Sequence, residues 1–163
     1  MMTLEERVTR LEDIRACEQL QYQYEKYLDD GYLGEKIASL FVEDGLWSIA
    51  GVGGTAKGRE AIIAHAKNLG KSIPWGQHHM IAPMIEIAED GEHAKGTFRL
   101  FCTITIADDD GKEHAYVMVG KYKTAYRKVN GKWYYTEIVG DIERSALWDK
   151  GWVLDSYRKE SWQ

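Results

Sequence analysis

Residues 94–106 read AKGTFRLFCTITI, and small or apolar side chains occupy every second position of this stretch. The positions between them carry mostly Lys, Arg and Thr side chains. Successive side chains of a β-strand point to opposite faces of the sheet, so this period of two predicts a long strand with one buried face. An antiparallel strand of this length is expected to curve, and it sets the architecture of the second half of the chain.

Three dipeptides that favour tight hairpin turns divide this half of the chain: Asp90-Gly91, Asp110-Gly111 and Asn130-Gly131. Asp or Asn followed by Gly accepts the positive φ angles that such turns require. After Pro74 the apolar pattern takes the period of a strand and keeps it. We therefore predict four consecutive antiparallel strands, the first of them over Gln77–Ile87.

The first thirty residues form one long amphipathic helix, because their apolar side chains recur at steps of three and four. These positions are Leu4, Val8, Leu11, Ile14, Cys17, Leu20, Tyr24, Tyr27 and Leu28. The helix is expected to end at Asp29-Asp30-Gly31, since Gly adopts the left-handed conformation that stops a helix. Next come a short helix over Leu33–Phe41, a strand over Leu46–Ala50, a flexible loop over Gly51–Gly54 and a helix over Arg59–Leu69 closed by Gly70.

This order of elements predicts an α+β fold, with helices segregated to one face of an antiparallel sheet. The 163 residues are enough to bury one core, so we expect a single domain over residues 1–163. A strongly bent sheet wrapped over a long helix encloses a cavity.

The net charge of −5 disfavours nucleic acid and anionic membranes as partners, since binding to phosphates depends on basic surface. No run of about 18 apolar residues indicates a membrane span, and Met1–Leu20 lacks the apolar core of a signal peptide. Cys17 and Cys102 fit neither a metal spacing nor a disulfide framework. We expect a soluble cytoplasmic protein with two reduced thiols.

Asp29 at the end of the long helix and His78 at the start of a strand could both reach the mouth of the cavity. A carboxylate bonded to one imidazole nitrogen fixes the tautomer and stabilises the imidazolium, which leaves the other nitrogen free to act as a base. This pair would abstract a proton from a substrate. The alternative from spacing alone is a solvated helix-terminal Asp29 and an edge-strand histidine at position 78.

Metal and nucleotide sites are not expected. His78 and the adjacent His79 face opposite sides of a strand, so they cannot bind one metal ion together. His65, His93 and His114 have no partner at ligand spacing and are interpreted as surface residues. The glycines of residues 51–58 lack the context of a dinucleotide or phosphate loop, and residues 108–111 indicate a hairpin turn rather than a calcium loop. We expect no metal or other cofactor.

The side chains that alternation places inward would form the wall of a substrate pocket. They are Trp47, Ile49, Phe98, Cys102, Met118, Tyr122 and Ile138. Most such residues in proteins are simply core. The hydroxyls of Tyr24 and Tyr122 favour a pocket, because a dry core would have to satisfy them whereas a ligand site can use them.

Several short motifs occur in an order that resembles the SnoaL-like branch of the nuclear transport factor 2-like superfamily. They are Tyr24-x4-Asp29, Glu43-Asp44-Gly45-Leu46-Trp47, Gly58-Arg59-Glu60-Ala61-Ile62, His78 five positions before Pro83, and Asn130-Gly131-Lys132-Trp133. The resemblance covers nearly the whole chain. It implies a cone-shaped α+β barrel in which a strongly curved antiparallel sheet wraps around the N-terminal helix.

Within that superfamily the chain looks similar to the branch of scytalone dehydratase, dehydrochlorinase and bile acid 7α-dehydratase. The resemblance implies a cofactor-independent lyase or isomerase that acts on a hydrophobic ring compound of steroid-like, terpenoid or aromatic type. It assigns the base to His78, its orienting carboxylate to Asp29, a nearby hydroxyl to Tyr24 and a pocket indole to Trp47. Ile49, and Cys102 or Ile104, stand where those enzymes have polar side chains, so this pocket is expected to be more apolar.

A second function stays open: a non-catalytic small-ligand-binding protein, or the structural small subunit of a ring-hydroxylating dioxygenase. Such a subunit should have a filled cavity and no contact between Asp29 and His78. The C-terminal region is unusually apolar for a solvated terminus, which predicts a homo-oligomer, dimer or trimer. Its apolar residues are Trp148, Trp152, Val153, Tyr157 and Trp162.

Overall fold

The computed structural model describes residues 2–50 and 54–155, and it has the expected α+β architecture. The helices are α1 (Leu4–Asp29), α2 (Gly34–Ser39), α3 (Arg59–Ser72) and α4 (Gly151–Leu154). The strands are β1 (Phe41–Ala50), β2 (Gly54–Lys57), β3 (Trp75–Ile87), β4 (His93–Ala107), β5 (Glu113–Val129) and β6 (Lys132–Leu147). No helix within these described ranges is long and apolar enough to cross a membrane.

The strands form one six-stranded sheet in the order β2-β1-β6-β5-β4-β3. The hairpins from β3 to β6 are antiparallel, as the three turn dipeptides predict. The pairing of β1 with β6 is parallel, so the sheet is mixed rather than wholly antiparallel. The chain returns to the first strand from the far end of the molecule, and no local turn signal could reveal this long-range pairing.

The alternation in residues 94–106 corresponds directly to burial in β4, where every second residue from Ala94 to Ile106 is buried. These side chains face α1, which lies across the concave face of the sheet. Asp13 of α1 accepts hydrogen bonds from Lys128 Nζ and from Trp133 Nε1, each at 2.8 Å. Further along α1, the Tyr135 hydroxyl donates to Gln21 Oε1 at 3.0 Å. These bonds fix the helix against β5 and β6 and direct its C-terminal end toward β3.

The long helix begins and ends where the sequence predicts. Thr3 and Glu6 form a capping box at its start, which satisfies two backbone N–H groups of the first turn. Gly31 follows the helix with φ 99°, in the left-handed region that favours glycine. Tyr32 has φ 55°, an uncommon conformation for a tyrosine, and its side chain is buried.

Four details of the first half differ from the predicted elements. The short helix α2 stops at Ser39, and Phe41 begins β1, with a register shift between Phe41 and Leu46. A short strand, β2, was not predicted, and its Gly54 is the strand's first residue. Helix α3 continues through Gly70 to Ser72. Gly70 is needed for close packing rather than for a cap, since a Cβ there would lie 3.3 Å from Tyr32 Cβ.

Candidate active site

A small cavity lies between α1 and the concave face of the sheet, with a volume of about 40 Å³. Its lining is mostly aliphatic and aromatic, and one histidine is part of it. The lining residues are Tyr24, Leu28, Tyr32, Trp47, Ile49, Leu69, Ile73, His78, Leu100, Ile104, Met118, Tyr122 and Ile142. A volume of this size holds about three water molecules.

His78 and Asp29 meet at the wall of this cavity. The Nδ1 atom of His78 lies 2.7 Å from Asp29 Oδ1, and the backbone N–H of His78 donates to both carboxylate oxygens at 3.0 and 3.2 Å. The His78 side chain is 6% exposed and the Asp29 side chain 27%. Because Nδ1 is engaged with the carboxylate, Nε2 is the ring nitrogen available to a bound molecule.

The strand geometry separates the two adjacent histidines. His78 faces inward with Met80, whereas His79 is exposed on the convex face of the sheet. The ring of His78 packs edge-on against Tyr32, with 6.1 Å between the ring centroids. Only one of the two histidines therefore reaches the cavity.

Aromatic side chains with polar atoms line the side of the cavity formed by α1, β1 and β5. Tyr24 packs edge-on against Trp47, with 6.0 Å between ring centroids. Burial is the main cause that raises the pKa of Tyr24, Tyr32 and Tyr122, so all three phenols stay protonated at neutral pH. The buried Trp47 Nε1 makes no hydrogen bond of ordinary geometry to the described residues. It does interact with the Tyr24 hydroxyl, which opposes the rise in the pKa of that phenol, so the indole N–H and the hydroxyl form one polar group in the wall of the cavity.

Four of the seven residues predicted to line the pocket are in the lining: Trp47, Ile49, Met118 and Tyr122. The other three are buried in the core and do not line the cavity: Phe98, Cys102 and Ile138. Burial, and then the charge of Asp29, raises the pKa of the Cys102 thiol well above its ordinary value. Cys102 is therefore an unreactive core thiol rather than a nucleophile.

Several lining residues were missed for different reasons. Leu100 and Ile104 share the inward face of β4 with Phe98 and Cys102, so the alternation contains the signal for them. Which of these four side chains reach the cavity depends on the curvature of the sheet. Tyr32 sits in the turn after α1, where neither helical nor strand periodicity applies, and no sequence signal marks it.

The remaining histidines lie elsewhere. His93 pairs with Asp90 at 2.8 Å and His114 with Asp108 at 3.1 Å, both at hairpin ends. His65 is not the surface residue that the sequence indicated. It is half-buried, and its ring centroid lies 5.0 Å from that of Trp47. Burial lowers the pKa of His65. In residues 2–50 and 54–155 no group of three His, Cys, Asp or Glu side chains is arranged to hold a metal ion.

A second carboxyl group, Glu25, lies one helical turn before Asp29. Burial, followed by the charge of Asp29, raises the pKa of Glu25 to about 7, while the backbone N–H of Met80 acts in the opposite direction. Its Oε1 atom is buried without a hydrogen-bond partner among the described residues. Sequence reasoning missed Glu25, because a Glu on a helix usually lies on its solvated face.

The raised pKa of Glu25 makes stability depend on pH. The folded state binds the proton more tightly than the unfolded state, so the free energy of unfolding should fall as pH rises from about 4.5 to about 7. In Glu25→Gln the pH-dependent loss in the free energy of unfolding should be smaller by about 1–2 kcal/mol. This value is discounted because the side chain is partly exposed to solvent. Urea denaturation at pH 5 and pH 8 measures it. An equal pH dependence in both proteins would contradict the assignment.

Among curated proteins, none matches the chain. A proposed scytalone dehydratase from Novosphingobium aromaticivorans DSM 12444 superposes with TM-score 0.73 at 22% identity, covering 85% of this chain and 89% of that one. A type 2 hexachlorocyclohexane dehydrochlorinase superposes with TM-score 0.77 at 19% identity, covering 86% and 91%.

A proposed aromatic ring hydroxylase from Novosphingobium aromaticivorans also has the fold, with TM-score 0.73 at 19% identity, covering 84% of this chain and 94% of that one. At these identities the superpositions establish the fold. The sequence profile of the SnoaL-like domain matches residues 9–139, well over half of the chain. The protein therefore belongs to the SnoaL-like domain family.

Proposed function

We propose that the protein is a cofactor-independent lyase or isomerase that removes a proton from a hydrophobic ring compound. The observation that carries this proposal is the 2.7 Å contact between His78 Nδ1 and Asp29 Oδ1 at the wall of an apolar cavity. An imidazole held in this way has one nitrogen committed to a carboxylate and one free to take a proton.

The roles of the two residues follow from their contacts. Neutral His78 donates its Nδ1–H to Asp29, so that Nε2 has the lone pair that accepts the proton. As the imidazolium forms, the charge of Asp29 stabilises it at hydrogen-bond distance. The backbone N–H bonds from His78 keep the carboxylate in place, so little reorganisation is needed when charge develops.

Hydrogen-bond donors on the other wall would bind the oxygen or leaving group of the substrate. Tyr24 is 1% exposed and stays protonated, and its hydroxyl interacts with that of Tyr122, so it would donate to a carbonyl or departing oxygen by turning from Tyr122 to the substrate. The Trp47 indole N–H lies beside the Tyr24 hydroxyl and is the second donor of this wall. Donors fixed by packing favour a transition state in which negative charge grows on that oxygen.

The lining favours a neutral substrate. Among the residues that the structure describes, no Lys or Arg lines the cavity, so they offer no countercharge to a carboxylate or phosphate on the substrate. The cavity is also too small for a ring compound as it stands, and binding requires the wall to open. Steroid-like, terpenoid and aromatic skeletons all fit the apolar surface, and the dehydratase and dehydrochlorinase of the same fold support an elimination.

The proposal is tested with neutral ring compounds bearing a leaving group next to an acidic C–H, including scytalone and hexachlorocyclohexane. Mass spectrometry in deuterated buffer measures both loss of water or hydrogen chloride and solvent exchange at the carbon. We expect elimination or exchange with at least one compound in the wild type, and its disappearance in His78→Ala. Equal turnover in the two proteins would refute His78 as the base.

The alternative is a non-catalytic ligand-binding protein or the small subunit of a ring-hydroxylating dioxygenase. The small volume of the cavity favours it, as does the fold shared with a proposed aromatic ring hydroxylase. The contact between Asp29 and His78 argues for the enzyme, because a structural subunit has no need of a buried imidazole held by a carboxylate. Saturable binding of a ring compound without turnover or exchange would favour the alternative.

A cofactor-independent mechanism has a direct consequence for the purified protein. We expect it to be colourless, and its turnover to be unaffected by EDTA, since the proposed chemistry needs only His78, Asp29 and Tyr24. Absorption spectra and rates measured before and after chelation test this. Loss of activity that a divalent ion restores would overturn the metal-free mechanism.

We also expect a homo-oligomer. Trp148 and Trp152 are 63% and 58% exposed beside β6, and Phe101 is 40% exposed on the convex face of the sheet. Apolar surface of this kind is usually covered by a partner. Tyr157 and Trp162 lie outside the described residues. Light scattering at micromolar concentration should give the mass of a dimer or trimer, and a monomer mass would contradict the prediction.

A further inference from the structure

One serine hydroxyl in the interior has no hydrogen-bond partner. The Ser145 side chain is fully buried, and its Oγ atom bonds to none of the residues that the structure describes. Buried hydroxyls in proteins are nearly always hydrogen-bonded, because an unpaired one costs free energy. A hydroxyl kept unpaired in the core therefore points to a use other than stability.

Ser145 lies in the same transverse row of the sheet as the proposed base. From β3 to β6 the register of this row is His78, Cys102, Met118 and Ser145. Residues directly opposite each other in antiparallel strands project to the same face of the sheet. Ser145 therefore faces the concave side, as do His78 and Met118, which both line the cavity. The row runs from an imidazole on the edge strand to a hydroxyl on β6, with apolar side chains between them.

Three strand spacings separate the two ends of the row. At about 4.8 Å each, they put the Cα atoms of His78 and Ser145 about 14 Å apart. Both side chains project to the concave side of a curved sheet, so the imidazole and the hydroxyl lie nearer to each other than the Cα atoms do. The span still exceeds that between neighbouring carbons of one ring. A molecule in contact with both groups would present opposite ends of its skeleton to them.

We propose that Ser145 is a specificity-determining residue, whose hydroxyl binds a neutral oxygen at the end of the substrate remote from the acidic C–H. The proposal rests on the proposed function, in which His78 takes the proton. A serine hydroxyl has one donor and two acceptor positions, so it pairs with a hydroxyl or a carbonyl of the substrate. The substrate class is thereby narrowed to oxygenated ring compounds, because a ring that carries only halogens offers this hydroxyl a poor partner.

Met118 separates the Ser145 hydroxyl from the cavity. It lines the cavity, whereas Ser145, its partner across the strands, does not. A methionine side chain is unbranched and has three rotatable bonds, so it adapts its shape readily. Rotation of Met118 joins the cavity to Ser145, and it supplies part of the opening that a ring compound requires.

Stability measurements distinguish a hydroxyl kept for a ligand from one kept for the fold. Ser145→Ala should leave the midpoint of urea denaturation unchanged or raise it, because no hydrogen bond within the protein is lost. The matched control is Thr124→Val, since the buried Thr124 hydroxyl donates to the Tyr126 hydroxyl at 2.9 Å. That variant should denature at a lower urea concentration, because it loses this bond.

The binding of two ring ketones tests the contact with a ligand. The probes 2-indanone and 5-hydroxy-2-indanone share a carbonyl and the acidic C–H beside it, and only the second has a hydroxyl at its far edge to pair with a serine. In calorimetry the wild type should bind the hydroxylated indanone about tenfold more tightly, the usual scale of one hydrogen bond to a buried group. Ser145→Ala should bind the two compounds with equal affinity.

Three results would each overturn the proposal. They are a wild type that does not prefer the hydroxylated indanone, a preference that survives in Ser145→Ala, and a loss of stability in Ser145→Ala as large as that in Thr124→Val. Binding and denaturation need no turnover, so the proposed function is judged separately by deuterium exchange. A preference without exchange would support the Ser145 contact and count against His78 as a base, whereas exchange without a preference would count against Ser145 alone.

Discussion

His78→Ala should lower the turnover of the true substrate by about 10²- to 10⁴-fold, the usual contribution of a general base. The residual cavity and the Tyr24 and Trp47 donors remain, so binding should change little. Steady-state kinetics should therefore show a loss in kcat with KM nearly constant. Turnover that persists undiminished would remove the proton-abstraction mechanism and leave the binding-protein alternative.

Asp29→Asn should be nearly as damaging, since an amide cannot stabilise the imidazolium by charge. The backbone N–H of His78 can still bond to the amide oxygen, so the fold should be retained. Because the two residues act as a unit, the double variant should cost little more than the worse single variant. Additive losses in activation free energy would indicate independent roles.

His79→Gln is the matched control for the histidine substitution. His79 is the immediate neighbour on β3 and is exposed on the opposite face, so its replacement should leave turnover within about twofold. Activity that survives in His78→Ala and disappears in His79→Gln would mean that the base is His79.

Gly120→Ala should destabilise the fold by about 3 kcal/mol, the cost of forcing extra volume into a close-packed site. Gly120 lies at the register shift between β5 and β6. A Cβ there would lie 2.4 Å from the backbone oxygen of Asp141 and 3.1 Å from Ile142 Cα. Backbone atoms cannot rotate away as a side chain can, so the two strands would have to separate. Urea denaturation measures the change.

Gly76→Ala provides the comparison on edge strand β3. Its added Cβ would lie 3.0 Å from Ile104 Cγ2, a side-chain methyl that can shift. We expect a loss below about 1 kcal/mol, partly offset by the lower entropy of the unfolded chain. If the two substitutions destabilise the protein equally, close approach of the strand backbones is not what requires Gly120.

Local sequence patterns were sufficient to predict the strand pairing in the second half of the chain. Each hairpin from β3 to β6 is made by neighbouring segments joined through an Asp-Gly or Asn-Gly turn, so the pairing is decided by short-range chemistry. Between Leu40 and Lys57 the same patterns did not reveal how the chain pairs with the sheet. There β1 pairs in parallel with β6, and its register shift places Gly45 against Phe41, where a Cβ would lie 2.9 Å from Phe41 Cβ.

The sequence by itself determined the class of fold and the strand faces, because periodicity and turn chemistry are local properties. The candidate pair Asp29 and His78 came from the resemblance to a family, since spacing alone left a solvated Asp29 and an edge-strand histidine as the alternative. Only the tertiary structure decided which inward residues reach the cavity and which, like Phe98 and Ile138, are core. It also revealed Glu25 beside the edge of β3. Burial and close approach depend on segments far apart in sequence, and burial is the largest cause of the raised pKa of this carboxyl group.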